Sequence, residues 1–183
     1  CAEQVCRMLA EHHLDGLDDL AEEIISRSER SIREAIAKVP PGVYHAEGII
    51  EQMEGRADLV IKCAIEVDGS DIKVDLSGSS PQVDWGGNVV YNFTYAYVHM
   101  AVKSIFDPDL PNNDGSAAPI QLTAPEGTVV NCRFPAAVAA RMQIGHFMTE
   151  IIYRALAQAL PDRVVAGSGG TPATMQVFYG RRN

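Results

Sequence analysis

The stretch LVIKCAIEVDGSDIKVDLS, residues 59–77, decides the fold. Ile61, Cys63, Ile65 and Val67 recur at every second position, with Lys62 and Glu66 between them. A period of two puts the apolar set on one face of a strand and the charged pair on the other. Asp68-Gly69 interrupts the run, and Ile72, Val74 and Leu76 resume it with the same period. Two half-buried strands joined by a tight turn, a β-hairpin over 59–77, follow from this pattern.

Upstream of the hairpin the apolar spacing is helical. Val5, Met8, Leu9 and His12 share one stripe that stops at Gly16. Leu17, Leu20, Ala21, Ile24, Ile25, Ile32, Ala35 and Ile36 follow i, i+3, i+4 spacing, with acids early and Arg33 and Lys38 late, until Pro40-Pro41-Gly42 ends the helix. Downstream, SGSSPQVDWGGN (77–88) is a loop carrying the only tryptophan, Trp85. A helix is expected from about Asn92 through Thr94, Val98, Ala101, Val102 and Ile105, closed by DPDLPNND. Ile120 and Leu122 suggest a short strand, and APEGTVVNCRFPAAVAAR is irregular. A further helix is expected to start at Gly145 and His146 and to run to Leu160 before Pro161. Val164-Val165 and the run Met175, Val177, Tyr179 read as two strands around the GSGG turn. The expected class is α+β, with N-terminal helices followed by mixed strands and helices around one core. The chain reads as one domain over 1–183, a helical part at 1–40 leading into a mixed body at 41–183.

The 183 residues, 19.8 kDa, bring 46% hydrophobic side chains, enough for a single core that buries about 70% of the extended chain's surface. A formal charge of −9, with no basic cluster longer than Arg181-Arg182, argues against a surface that tracks phosphates, so no nucleic-acid partner is expected. Charges or glycines interrupt every apolar run, so no membrane segment is expected, and the chain reads as cytoplasmic. Cys1, Cys6, Cys63 and Cys132 form no CxxC pair and read as free thiols. A first residue other than Met, and a closing VFYGRRN with no turn after it, read as a piece of a longer polypeptide.

Few residues present a chemical constellation. Cys1 would suit an N-terminal nucleophile, but such nucleophiles start strands and CAEQVCRML reads as a helix. His12 and His13 point about 100° apart on a helix and cannot both ligate one ion. His45 and His99 stand alone, and no metal site is visible. GSGG (167–170) lacks the Lys and Ser/Thr of a phosphate-binding loop. The stronger candidate is Arg141 with His146, where an imidazole and free N–H groups at a helix start, beside a guanidinium, could hold an anion or substrate. Asn88 and Asn112, in asparagine-bearing loops, are candidate positioning residues, with turn and cap roles as the alternative.

Six segments in one order carry a resemblance: VDLSGSSPQVDWGGN, FDPDLPNNDG, API, APEGTVVN, PAAVAAR and ALAQALPDRVVAGSGG. Together they resemble the hydantoinase B/oxoprolinase family from about residue 40 to 180. The resemblance implies an ATP-dependent, multi-subunit enzyme, a hetero-oligomer with a hydantoinase A-type ATPase subunit as partner. ATP and magnesium would then sit at that partner, and the reaction would act on a small-molecule lactam or enolisable carbonyl. It also implies a divalent metal held by His and Asp motifs of an upstream half, which nothing here matches, so this stretch binds no cofactor itself and is expected to be inactive alone. NVVYNFTYAYVHMAVKSIFDPD and ARMQIGHFMTEIIYRALAQALP are closer to the acetone and acetophenone carboxylase members than to the cyclic amide hydrolases. Part of a ketone carboxylase is therefore the first expectation. A cyclic amide hydrolase and a non-catalytic assembly domain are the alternatives.

Overall fold

In a computed structural model, residues 1–52 and 55–167 are described. Two helices lead, α1 (Ala2–Glu11) and α2 (Asp18–Ile36). Three strands follow, β1 (Gly42–Ile50), β2 (Leu59–Asp68) and β3 (Asp71–Asp75), then α3 (Tyr91–Phe106), the single turn α4 (Asp114–Ala117), β4 (Ile120–Thr123) and α5 (Arg141–Leu156). The class is α+β: a four-stranded mixed sheet ordered β1-β2-β3-β4, with helices on one face.

The hairpin stands where its alternation placed it. β2 and β3 pair antiparallel from Ala64 opposite Asp75 to Asp68 opposite Asp71. Gly69, at φ +61°, takes the left-handed position of the two-residue turn, which few other residues adopt without strain. Ile61, Ile65 and Ile72 are fully buried, and each contributes about 1.5–3 kcal/mol relative to exposure. β4 adds parallel to β3, Ile72 opposite Ile120, and a parallel neighbour needs a crossover. Residues 76–119, with α3 and α4, supply it.

β1 has no counterpart in the apolar pattern. Its inward positions are Tyr44, Ala46, Gly48 and Ile50, and its outward ones include Val43 and Ile49. Small residues inside and aliphatic ones outside erase the alternation that marks β2. Tertiary packing instead sets this strand. It pairs antiparallel with β2 from Gly42 opposite Val67 to Ile50 opposite Leu59. Its free edge is covered by α5 and the turn after it: Arg154 donates from Nη1 to the Glu47 carbonyl (3.1 Å), and Gln158, just beyond the helix, donates from Nε2 to the His45 carbonyl (2.8 Å). Covering unpaired edge carbonyls removes a template for strand addition.

Two expectations need correction. α5 begins at Arg141, a full turn before Gly145, and ends at Leu156. Val164-Val165 is not a strand: Pro161, Asp162 and Arg163 form a turn, Arg163 donates to the Phe106 carbonyl (3.4 Å), and no described strand lies beside the two valines to pair with them. The expected strand at Met175, Val177 and Tyr179 lies outside the described residues.

Under the sheet, Ile32 and Ile36 of α2, Val98 and Val102 of α3, and Ile144, Met148, Ile151 and Ile152 of α5 complete one core. α4 is seated on α2 by a reciprocal cap. Asn113 accepts from the Ser116 N–H, the Ser116 hydroxyl accepts from the Asn113 N–H, and Asn113 donates to Ser28 Oγ (2.8 Å). Gly115 sits so tightly there that a Cβ would collide with the Ile25 carbonyl oxygen. Gly115→Ala is therefore expected to cost about 1–3 kcal/mol through overpacking, seen as a lower midpoint in urea unfolding. An unchanged midpoint would mean that α4 does not need this contact.

Candidate functional site

α5 holds one stripe in the core and turns another outward. Gly145 permits this by letting α5 lie against α3, since a Cβ there would meet Phe93 and Tyr97 ring carbons at 2.8 Å. The glycine therefore serves helix packing and does not mark a helix start. Its N–H and that of His146 lie inside the helical hydrogen-bond ladder, so neither is free for an anion. In the first turn the Arg141 and Gln143 N–H groups are also engaged, by the carbonyls of Val138 and Ala140.

Along the outward stripe, His146, Glu150, Tyr153 and Arg154 face Tyr97 and Met100 of α3 across a groove of about 950 Å³, closed at one side by residues 161–167. This is at the upper end of the range for small-molecule sites, about 300–1,000 Å³. The Tyr97 ring stands edge-on to His146 at 6.4 Å and stacks on Phe93 at 4.8 Å. The Arg141 guanidinium lies 6.0 Å from the Phe93 ring centre, within cation–π range. Arg141 and His146 thus flank one aromatic wall, Arg141 exposed at the start of α5 and His146 half-buried inside the groove. Tyr153 shares a hydrogen bond with Ser104 (2.7 Å), which pins its ring against α3. Glu150 carries the groove's carboxylate. Neither Glu150 nor Tyr153 stands out in the sequence, because both fall in an ordinary polar stripe of a helix and only the neighbouring α3 turns that stripe into a wall.

The asparagines serve other ends. Asn88 is fully buried, and its amide is spent on backbone: Oδ1 accepts from Val83 N–H (2.8 Å), while Nδ2 donates to the carbonyls of Val83, Trp85 and Ala137 (2.9 Å each). It ties the Trp85 loop to the segment before α5, and none of its polar atoms is left for a ligand. Asn112 is exposed beyond the C-terminal end of α3, next to Asn113, which caps α4 and donates to Ser28 of α2. Arg141 lies beside the first turn of α3, so roughly 20 Å of helix separates the two. The structure therefore sets His146 in the groove beside Tyr97, leaves Arg141 outside the groove lining beside Phe93, and keeps Asn112 apart.

Burial, with a smaller contribution from Asp75, pushes the Cys63 thiol up to about 12. Burial also holds His99 below the usual histidine range, partly opposed by its hydrogen bond to the Tyr95 carbonyl and by the backbone of Ile120 and Ala117. Among the described residues no three His, Cys, Asp or Glu side chains converge as metal ligands, and no helix is long and apolar enough to cross a membrane.

The family model described as hydantoinase B/oxoprolinase matches residues 1–183. A protein provisionally named as the B-type subunit of a D-/L-hydantoinase, from Pseudomonas sp. strain NS671, is 34% identical over 100% of this chain and 32% of its own length. The ATP-dependent caprolactamase of Pseudomonas jessenii superimposes with a TM-score of 0.79 at 22% identity, covering 88% of this chain and 28% of that one. A nucleotide-free acetone carboxylase superimposes with a TM-score of 0.71 at 19% identity, covering 90% of this chain and 24% of that one. The chain spans about a third or less of the length of each.

Two outcomes follow from the geometry. Asn88→Ala strands several buried carbonyls and one N–H, and is expected to lower stability by about 2–4 kcal/mol in urea unfolding. A variant as stable as the parent would remove the clamp. His99 resists protonation in the folded chain more than in the unfolded one, so its contribution is complete above the ordinary histidine pKa and is lost as pH falls below it. Stability measured from pH 7.5 to 5 should therefore drop less steeply in His99→Phe than in the parent, and parallel curves would exclude this origin.

Proposed function

The chain belongs to the hydantoinase B/oxoprolinase family, and we propose that it is part of the catalytic subunit of an ATP-dependent enzyme that opens a cyclic amide. The observation that carries this reading is the likeness, sustained over the whole chain, to a B-type hydantoinase subunit. The fold shared with a caprolactamase supports it. Phosphorylating the amide oxygen makes the carbonyl carbon more electrophilic, so that water can add and the ring C–N bond can break with the nitrogen leaving as the amine. Hydrolysis of the acyl phosphate that remains then gives the carboxylate and free phosphate, and this activation is what ATP supplies to such a reaction. Following the family resemblance, nucleotide and magnesium are assigned to a partner of the hydantoinase A type, and a divalent metal to the upstream half of the polypeptide.

This chain's part is the α3–α5 groove. Tyr97, Met100 and Phe147 offer aromatic and thioether surface to the methylenes of a small ring. His146 and Glu150 can hold or pass a proton at the amide, and Arg141 at the outer end can pair with a carboxylate or phosphate. Arg154 is partly committed to the β1 edge through Glu47 and so acts more as a wall than as a free cation.

A second reading is ketone carboxylation, which the sequence favoured. Its support is the character of segments 88–109 and 140–161 together with the fold shared with an acetone carboxylase. The two readings separate in one assay on the assembled full-length complex. Hydantoin, 5-oxoproline or caprolactam is expected to stimulate ATP hydrolysis, with or without bicarbonate. Product formed from acetone or acetophenone only with bicarbonate would install the carboxylase reading instead. In the same complex, His146→Ala and Arg141→Ala are each expected to lower kcat/KM tenfold or more, about 1.4 kcal/mol of transition-state stabilisation. Values within twofold of the parent would take both residues out of the site.

A further inference from the structure

The groove between α3 and α5 holds polar groups whose hydrogen-bonding sense is fixed by what surrounds them. Ser104 has a single hydroxyl proton, and its Oγ lies 2.8 Å from the Ala101 carbonyl, which can only accept. The proton is spent there, so in the 2.7 Å contact between Ser104 and Tyr153 it is the phenol that donates. With its own proton turned back to α3, the Tyr153 oxygen keeps only lone pairs for the groove that its side chain lines.

Glu150 stands three residues earlier, on the same face of α5. Its carboxylate lies beside Gly167, where a Cβ would come within 2.9 Å of Oε1. No ion pair engages it among the described residues. Arg154, the cation one turn further on, reaches instead to the Glu47 carbonyl at the edge of β1. A carboxylate accepts only, so this wall presents two acceptors. His146, one turn before Glu150, is able to donate to a carbonyl oxygen held in the same groove.

Two acceptors on one wall select what they meet. A cyclic amide with an unsubstituted nitrogen offers them an N–H. A ketone or an N-alkylated ring offers none and leaves both unmatched, which a site built to read a donor turns into discrimination. We propose that Glu150 and Tyr153 determine specificity by reading the ring N–H, so that the substrate class is a secondary cyclic amide, with Ser104 as a positioning residue that sets the polarity of the Tyr153 hydroxyl. The inference rests on the reading of the groove as the cyclic-amide site, and it adds which atom of the ring is recognised and by which residues.

The test uses the assembled full-length complex. Caprolactam, 5-oxoproline and hydantoin are each paired with the fully N-methylated ring. KM is read from ring-stimulated ATP hydrolysis, and Ki from competition by the methylated form. The parent is expected to hold the N–H ring at least tenfold more tightly than its N-methyl counterpart. Tyr153→Phe, the loss of one oxygen, should narrow that gap at least threefold, and Ser104→Ala should narrow it in the same direction. Glu150→Leu combined with Tyr153→Phe should close it to within twofold by weakening only the N–H ring, whereas Glu150→Gln, which keeps an acceptor oxygen, should preserve most of it. A merely structural role would weaken both members of a pair alike. That result, a gap that survives Tyr153→Phe and the double substitution, or a parent with no gap, would overturn the acceptor pair and leave the functional reading standing. A parent complex whose ATP hydrolysis no cyclic amide stimulates would overturn both.

Discussion

The inner face of β2 is the surface on which everything else is laid. Ile61, Cys63, Ile65 and Val67 present an unbroken apolar row to the core, where α5 packs against β2, and β1 and β3 align to that row from either side. A slip of one residue would turn Lys62 and Glu66 inward and place all four apolar side chains in water. At about 1.5–3 kcal/mol for each, no loop or surface pair could offset the loss. The cross-strand pairs on the outer face, Lys73 with Glu66 at 3.1 Å and Lys62 with Glu47 at 4.0 Å, are exposed and add little beyond alignment.

With β2 held, α5 does three things with three stripes of one helix. Ile144, Met148, Ile151 and Ile152 close the core. Arg154, with Gln158 just beyond the helix, covers the open edge of β1. His146, Glu150 and Tyr153 form a wall of the groove. The second wall is set by the closeness of α3, which Gly145 allows, so core packing and groove share the same glycine. The Asn88 clamp fixes the segment before α5, so the Trp85 loop also positions the helix that lines the groove. Both are structural uses of residues that resemble ligand groups when met in a string of letters.

Much of the fold was legible because strong periods announce themselves: the 59–77 hairpin, the helices at α2 and α3, and the short strand at Ile120 and Leu122. β1 was not legible, since Ala46 and Gly48 inside and Val43 and Ile49 outside leave no alternation to read. The start of α5 was misplaced because a glycine beside a histidine reads as a boundary, whereas Gly145 is a contact with Phe93 and Tyr97 some fifty residues away in the chain. Of the candidate site residues, Arg141 and His146 share an aromatic wall that no spacing in sequence encodes.

What the sequence by itself determined is therefore the family, carried by ordered motifs along most of the chain, and those elements whose hydrophobic period matches a helix or a strand. Both are local properties, because a period and a motif are complete within a few dozen residues. What only the tertiary structure decided is which polar groups are free. Asn88 and Asn112 look alike as letters, yet one is enclosed by carbonyls contributed from residues 83 to 137 and the other stands in water. Whether a side chain can meet a ligand depends on which distant segments reach it first, and that is settled when the chain closes on itself.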